Sequence, residues 1–324
     1  MKKLAYILFP KDIEHLKNLL PIGKIMPVTL AKMFIKDFSP FRISSLDKTY
    51  ALDGSQIRKY TVVCPIIDSN ISGDQDLVVR FIEAMRLIKE TGADIVGLER
   101  NVPFIIKNIK HLNKKNRVPI SCGDALGAWS VFEAIFRTVK VKNLSLRNLN
   151  VAIIGADMPI GNLLARKLAG LVSRITLCGK NSDKLGQLKN LMPELGPAKT
   201  VIKDNSLDTA RGNDIVILTK PVVDSVLAEI KPQAIVCGIS LPADMVKKIK
   251  KYPEIIFVEA GLIKLPGSDE IVDFSLAETM LLVLEDGFSN FLPSDNINLD
   301  NLEDVADMAT RHGFEVWVPQ APLV

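Results

Sequence analysis

The sequence predicts an α/β protein whose largest part is a doubly wound parallel sheet. Residues 149–264 contain five nearly continuous aliphatic runs separated by helical or turn segments, as expected of strands buried on both faces. Aromatic residues make up only 6% of the 324 residues, which favours an aliphatic α/β interior. The length suggests two domains. The five runs are LNVAIIG, SRITLCG, NDIVILT, QAIVCGIS and EIIFVEAGL.

Outside this series the chain alternates between strand and helix patterns. Residues 1–140 are predicted to form an N-terminal α/β substrate lobe, with helices over Asp76–Glu90 and from Asp124 to Val139. Residues 141–268 form the doubly wound domain. Residues 269–324 hold two helices that we expect to complete the N-terminal lobe by packing back on it. The first runs from an N-cap at Asp273 to Gly287, and the second ends at Gly313.

Composition excludes several classes of protein. A net charge of +4 is too small to indicate nucleic acid as a partner. The four cysteines form no C-x-x-C pair, so we expect no metal knuckle and reduced thiols in a cytoplasmic protein. The three histidines share no metal-ligand spacing. No apolar run reaches the roughly 20 residues that span a bilayer, and LAYILFP is interpreted as a first strand.

The segment VAIIGADMPIG (151–161) resembles the strand–glycine–helix turn that binds a dinucleotide pyrophosphate. Gly155 permits the tight turn and Gly161 permits close helix packing, but Met158 stands where a middle glycine is expected. Pro159 suits the first position of a helix whose N-terminus can bind an anion. This predicts an NAD(P)-binding Rossmann domain; a Rossmann-like domain that has lost its ligand is the alternative. The candidate cofactor residues in the turn are Gly155, Ala156, Asp157, Met158, Pro159, Ile160 and Gly161.

The second strand of the domain ends without an acid. NAD sites usually place Asp or Glu there to bind the ribose hydroxyls. Here Cys178 is followed by Gly179, Lys180 and Asn181, and Lys180 can face a 2′-phosphate. The sequence therefore favours NADP over NAD, with a solvated loop lysine as the alternative. Thr219 follows another parallel strand and is a further candidate contact.

Several collinear motifs resemble the long-chain acyl-acyl-carrier-protein reductases of the cyanobacterial type. They are GADIVGL (92–98), CGDALGAW (122–129), VAIIGADMPIG, NDIVIL (213–218), LAETMLL (276–282), LEDGFSNF (284–291) and RHGF (311–314). That family makes fatty aldehydes from acyl thioesters with NADPH, using a cysteine nucleophile just before an Ala-Glu pair. Alignment on Ala277-Glu278 puts Ser275 at the position of that cysteine. Glu99-Arg100 stands where the family has a glycine pair.

A second resemblance is to the shikimate and quinate dehydrogenases. NVPFIIK (101–107) is similar to their lysine motif, and Asp124 in CGDALG is similar to their aspartate. The resemblance implies that Lys107 and Asp124 would act together on a hydroxyl, whereas an N-cap of the following helix is the alternative for Asp124. Lys107 also begins the basic stretch KNIKHLNKKNR, which is either a solvated helix face or a dock for an acidic carrier protein.

Together these patterns predict an NADP-dependent oxidoreductase related to acyl-carrier-protein reductases but lacking their thiol. Because Glu99 and Arg100 add charge, we expect a small polar carbonyl or hydroxyl substrate, with Glu99, Arg100, Asp124 and Ser275 converging on one pocket. A dehydrogenase that uses Lys107 and Asp124 is one alternative. A non-catalytic nucleotide- or acyl-binding protein is another, and a homo-oligomer is left open.

Overall fold

The computed structural model contains two compact units. Unit 1 consists of Met1–Gly123 and Ser275–Ser294, and unit 2 consists of Asp124–Phe274 and Asp295–Val324. The structure describes residues 2–10, 12–20, 27–29, 39–43, 48–50, 54–67, 74–99, 118–287 and 297–319.

Unit 1 is an α/β layer built on a mostly parallel sheet. Strands β4, β1, β5 and β6 lie side by side in that order and run parallel, and the antiparallel β2 and β3 both pair with β4. Helix α2 buries Phe81 and Met85 against strand residues such as Ile7 and Val96. The elements are β1 (Lys2–Leu8), α1 (Ile13–Leu19), β2 (Phe41–Ile43), β3 (Lys48–Tyr50), β4 (Gln56–Val63), α2 (Asp74–Thr91), β5 (Ile95–Leu98) and β6 (Ile120–Ser121).

Unit 2 contains a six-stranded parallel sheet in the order β9-β8-β7-β10-β11-β12. In chain order this is 3-2-1-4-5-6, the arrangement of dinucleotide-binding Rossmann domains, with the switch point between β7 and β10. The α/β, doubly wound fold predicted from the sequence is thus confirmed. Its strands are β7 (Asn150–Ile154), β8 (Arg174–Cys178), β9 (Lys199–Ile202), β10 (Ile215–Leu218), β11 (Ile235–Ile239) and β12 (Ile256–Ala260).

Helices of unit 2 cover the sheet. Helix α3 packs against α4, α10 and strands β11 and β12. A small antiparallel sheet of β14, β13 and β15 completes the unit. The bounds are α3 (Asp124–Val141), α4 (Pro159–Leu168), α5 (Ser182–Leu195), α6 (Ser206–Ala210), α7 (Asp224–Ala228), α8 (Ala243–Ile249), β13 (Leu262–Lys264), β14 (Ile271–Asp273), α9 (Phe274–Glu285), α10 (Leu299–His312) and β15 (Glu315–Val316), with α9 belonging to unit 1 from Ser275 onward.

The units divide the chain at other residues than the expected boundaries at 140 and 268. Helix α3, assigned to the N-terminal lobe from the sequence, belongs to unit 2 because its apolar face packs on α4 and on two strands there. Of the two returning helices, α9 belongs to unit 1 from Ser275 onward and α10 belongs to unit 2.

Within residues 149–264, the strands of the structure differ from the sequence prediction at two places. The sequence does not predict the edge strand β9, because KTVI mixes polar and apolar residues and none of its four residues is fully buried. The run EIIFVEAGL was expected to be one strand but is two, β12 and β13. The break falls at Gly261, whose φ of +90° is open mainly to glycine.

Helix ends agree closely with the sequence. Helix α10 stops at Gly313, which adopts the left-handed conformation (φ +72°). Helix α4 starts at Pro159, its first residue, as the proline predicts. Within the described part of the chain, no helix combines the length and the apolar character needed to cross a membrane.

Asp214 ties together the amino-terminal ends of β7 and β10. Its Oδ2 accepts a hydrogen bond from the Asn150 N–H at 2.7 Å, and the Lys231 ammonium pairs with its other oxygen. Burial alone would raise the pKa of Asp214, but the hydrogen bond from Lys231 and then that from Asn150 outweigh it and hold the pKa below its usual range. The folded state therefore favours the carboxylate.

We expect Asp214→Asn to lower the free energy of unfolding at pH 7 by about 1–2 kcal/mol. Because the folded-state pKa is depressed, the stabilisation is present above the unfolded-state pKa and is lost as the pH falls through the folded-state pKa. Urea denaturation from pH 7 to pH 3 should show the two proteins converging. Asp307→Asn, at an exposed position of α10, should change stability by no more than about 0.5 kcal/mol. A constant gap down to pH 3 would contradict this assignment.

Candidate functional site

The turn after β7 lies at the switch point of the unit 2 sheet. Gly155 adopts a φ of +96°, and a Cβ there would overlap the hydroxyl of Thr219. Thr219 follows β10, and its Oγ1 lies 3.1 Å from the carbonyl oxygen of Ile154 and 3.2 Å from that of Gly155. The ends of β7 and β10 are therefore held together at the place where Rossmann domains bind their ligand.

Gly161 lets helix α4 pack closely on this turn. A Cβ at Gly161 would overlap the carbonyl oxygen of Gly155 and would come within 2.9 Å of the Cα of Ala156. These neighbours are backbone atoms, which cannot rotate out of the way. The glycine is thus required by the packing of the helix on its own strand exit.

Met158 is the N-cap of α4 and stands where a middle glycine is expected. Its sulfur lies 3.9 Å from Thr219 Oγ1, so the side chain is directed towards the exit of β10. It makes no capping hydrogen bond, and Pro159 has no N–H to satisfy. The first-turn amides of α4 are therefore not occupied by a capping side chain from Met158, which suits an anion site.

Asp157 joins the turn to the loop after β8. Its Oδ2 accepts hydrogen bonds from the backbone N–H of Lys180 at 2.9 Å and of Asn181 at 3.1 Å. In the other direction, the carbonyl of Cys178 accepts hydrogen bonds from the N–H of Gly155 and of Ala156, at 2.8 and 2.9 Å. The two loops that would border the adenosine of a dinucleotide thus hold each other through four hydrogen bonds.

The loop after β8 begins with Gly179, which has no side chain. A Cβ at Gly179 would overlap the carboxylate of Asp157, so the glycine makes room for that acid. Lys180 is exposed. Asn181 caps helix α5 by accepting a hydrogen bond from the Lys184 N–H at 3.0 Å.

Unit 1 holds a buried polar cluster around the start of α9. The Ser275 hydroxyl lies 2.7 Å from the Tyr6 hydroxyl of β1, and both side chains are buried. Ser275 is the residue that the sequence analysis expects in place of the cysteine of the acyl-carrier-protein reductases. Its carbonyl oxygen accepts a hydrogen bond from Thr279 Oγ1 at 2.7 Å, which is ordinary within a helix.

Glu278 is a buried carboxylate in the same cluster. Its Oε1 accepts a hydrogen bond at 2.6 Å from the hydroxyl of Ser121, which in turn accepts one from the Gly123 N–H at 3.2 Å. The helix approaches β5 closely, because a Cβ at Gly97 would overlap the hydroxyl of Thr279. A carboxylate that is only 1% exposed needs such partners.

The other predicted catalytic residues are distributed as follows. Asp124 is buried as the first residue of α3 in unit 2. Glu99 is half-buried in unit 1 and accepts a hydrogen bond from the Phe9 N–H at 3.1 Å. Lys107, Arg100 and the basic stretch at 107–117 lie outside the described residues. The convergence of Glu99, Arg100, Asp124 and Ser275 therefore stays a prediction.

Two of the four buried cysteines, Cys64 and Cys237, are poorly suited to act as nucleophiles. Burial raises the pKa of Cys237 to about 12, and burial is also the largest of the influences that leave the pKa of Cys64 well above its usual range. Both are therefore protonated near neutral pH, while a nucleophilic cysteine must be a thiolate. Within the described residues there is also no group of three or more potential metal ligands.

Sequence patterns missed Tyr6 and Ser121. Tyr6 lies within the apolar run LAYILF, where an aromatic residue predicts only core packing. Ser121 lies three residues before Asp124 and carries no motif of its own. The sequence predicts Asp157 as a residue of the glycine turn. Its hydrogen bonds to the loop after β8 join parts of the chain that only the fold brings together, so no local pattern predicts them.

Comparison with known proteins gives distant similarities. No protein-family model matches the sequence. The chain is 22% identical over 269 residues to aminotransferase PigE of Serratia sp. (strain ATCC 39006), a match that covers 78% of this chain and 31% of that protein. The chain thus spans about a third of the length of this curated relative.

Three solved structures are similar to the chain. L-tryptophan dehydrogenase from Nostoc punctiforme is 15% identical, with a TM-score of 0.45 over 96% of this chain and 83% of that one. The dipicolinate synthase A chain from Bacillus subtilis is 13% identical, with a TM-score of 0.40 over 95% of this chain and 97% of that one. Ornithine carbamoyltransferase from Pyrococcus furiosus is 10% identical, with a TM-score of 0.40 over 79% of this chain and 78% of that one. Their names denote different reactions, so function is argued below from this chain's own residues.

We expect Gly161→Ala to lower the free energy of unfolding by about 1–3 kcal/mol, because the added methyl meets rigid backbone. Gly186→Ala is the matched control, since a Cβ at this position of α5 meets nothing within 4 Å. It should stabilise the protein by about 0.5–1 kcal/mol. Chemical denaturation measures both changes, and equal effects of the two substitutions would contradict the packing described for Gly161.

Proposed function

We propose that the chain is an oxidoreductase that binds a nicotinamide dinucleotide on unit 2. The observation that carries the proposal is the turn of Gly155 to Gly161 at the switch point of a sheet ordered 3-2-1-4-5-6. The positive φ of Gly155, the packing of Gly161 and the N-terminus of α4 support a pyrophosphate site, with Met158 in place of the middle glycine. A bound nicotinamide would supply or accept hydride.

NADP is proposed as the cofactor rather than NAD. Lys180 follows the second strand of the domain and is exposed, so its ammonium is free to reach a 2′-phosphate. None of the four residues that follow that strand, from Gly179 to Ser182, is an acid. A cation beside the adenosine ribose favours the phosphorylated cofactor, whereas an acid at that place favours the free hydroxyls.

The substrate is proposed to be a small polar carbonyl or hydroxyl compound. Ser275 replaces the thiol of the resembling acyl-carrier-protein reductases, and its partner Tyr6 is a phenol, which is a weak base. A phenol activates a serine hydroxyl less than the imidazole of a histidine does, so the contact with Tyr6 does not favour nucleophilic attack by Ser275. Hydroxyl groups can still donate hydrogen bonds to a carbonyl oxygen. The half-buried carboxylate of Glu99 supports a polar substrate over an alkyl chain.

We expect NADPH to bind more tightly than NADH, and Lys180→Asp to narrow or reverse the preference. The change replaces a cation by an anion beside the proposed 2′-phosphate, so a shift of about tenfold or more in the affinity ratio is expected. Fluorescence or calorimetric titration of both dinucleotides measures it.

Lys247→Asp is the matched control for this experiment. Lys247 is exposed on α8, which follows β11 on the other half of the sheet, and the charge change is identical. It should leave the ratio within about twofold. Equal affinities for NADPH and NADH in the unmodified protein would remove the argument from Lys180. No binding of either dinucleotide would remove the proposed function.

We expect no covalent acyl-enzyme at Ser275 and no fatty aldehyde when the protein is incubated with long-chain acyl thioesters and NADPH. The reason is the absence of a thiolate at this position. Intact-protein mass spectrometry detects an acyl adduct, and gas chromatography detects the aldehyde. An adduct mapped to Ser275, lost in Ser275→Ala, would show that the hydroxyl is activated and that the enzyme is an acyl reductase after all.

A further inference from the structure

We infer that Asp157 limits the affinity of this site for a 2′-phosphorylated cofactor and is a specificity-determining residue. The inference rests on the proposed dinucleotide function of unit 2. It assigns to Asp157 a role that differs from pyrophosphate binding by the glycine turn. It also sets Asp157 against Lys180, so that two residues of opposite charge act on the same end of the cofactor.

The position of the carboxylate follows from three contacts. Its Oδ2 accepts hydrogen bonds from the N–H of Lys180 and of Asn181, the second and third residues after β8. A Cβ at Gly179 would overlap it, so it also lies against the first residue of that loop. In dinucleotide-binding domains the end of this second strand is where the acid that selects NAD is found. Asp157 thus brings an acid to this place from the glycine turn.

Two effects of the carboxylate oppose a 2′-phosphate. It occupies two backbone N–H groups that could otherwise donate to phosphate oxygens. It also places a negative charge within a few ångströms of any anion bound by the loop, and the half-buried setting of Asp157 screens that charge less than bulk water does. The ribose hydroxyls of NAD carry no charge and can donate to a carboxylate.

A purely structural role of Asp157 is separable from this electrostatic role. Asparagine keeps an oxygen that can accept from both N–H groups but removes the charge. Alanine removes the acceptor and frees the N–H groups. If Asp157 only holds the loops together, Asp157→Asn should leave cofactor preference unchanged, and Asp157→Ala should weaken both cofactors alike.

The experiment titrates the full-length protein with NADPH, NADH, 2′,5′-ADP and 5′-AMP, at low and at high salt. For Asp157→Asn we expect affinity for NADPH and 2′,5′-ADP to rise by about tenfold, and that for NADH and 5′-AMP to change by less than about threefold. The gain should shrink at high salt. Asp244→Asn is the matched control, because Asp244 is exposed in the first turn of α8 and loses the same charge. It should leave all four affinities unchanged.

Each outcome decides the inference. A selective gain for the phosphorylated ligands supports it. Parallel changes for all four ligands, or no change at all, in an Asp157→Asn protein whose thermal unfolding matches the unmodified protein would overturn it while leaving the proposed function standing. If Asp157→Asn folds poorly, Asp157→Ser takes its place in the experiment. Serine keeps a hydroxyl acceptor, so this variant should show the same selective gain for the phosphorylated ligands. Failure of the unmodified protein and of both variants to bind any dinucleotide overturns the inference together with the proposed function.

Discussion

The contact of Gly155 with Thr219 is the constraint on which the carboxyl edge of the unit 2 sheet depends. Because the strand order changes direction between β7 and β10, the loops after these strands leave on opposite sides and open a crevice. The Thr219 hydroxyl closes the base of this crevice by contacting the Ile154 and Gly155 carbonyls. Any side chain at Gly155 would occupy the space of that hydroxyl, so the turn that leads into α4 requires glycine here.

Much of the fold could be predicted from the sequence because burial on both faces leaves a clear pattern. The continuous aliphatic runs of β7, β8, β10, β11 and β12 are visible without any structure. The edge strand β9 has no fully buried residue and so lacks that pattern. The break between β12 and β13 depends on Gly261, which has a positive φ and lies so close to Phe274 that an added Cβ would come within 2.9 Å of its ring. Tertiary contacts decided both cases.

The residues of the candidate sites also fall into two groups: those that a local sequence pattern predicts and those that only tertiary contacts bring together. The glycine turn is local, so its spacing identified Gly155, Gly161 and the helix start at Pro159. The pair of Tyr6 and Ser275 joins residues 269 positions apart in the chain, and no motif signals it. The resemblance to the acyl-carrier-protein reductases predicts that Ser275 stands in place of a cysteine. The phenol of Tyr6 beside it can be identified only in the folded structure. Residues that act through packing across the sheet stay hidden in a single sequence.

Asp157 shows why the rule for choosing between NAD and NADP cannot be applied along the chain alone. The rule searches for an acid at the end of the second strand, and the sequence has Gly179 and Lys180 there. Gly179 leaves a space beside the strand end, and the carboxylate of Asp157 fills it from the preceding turn. The ribose of a bound dinucleotide would interact with whichever charged side chain lies beside it. That side chain can come from the glycine turn or from the loop after β8. The proposed preference for NADP therefore depends on Lys180 outweighing the carboxylate of Asp157, which reaches the same place through space.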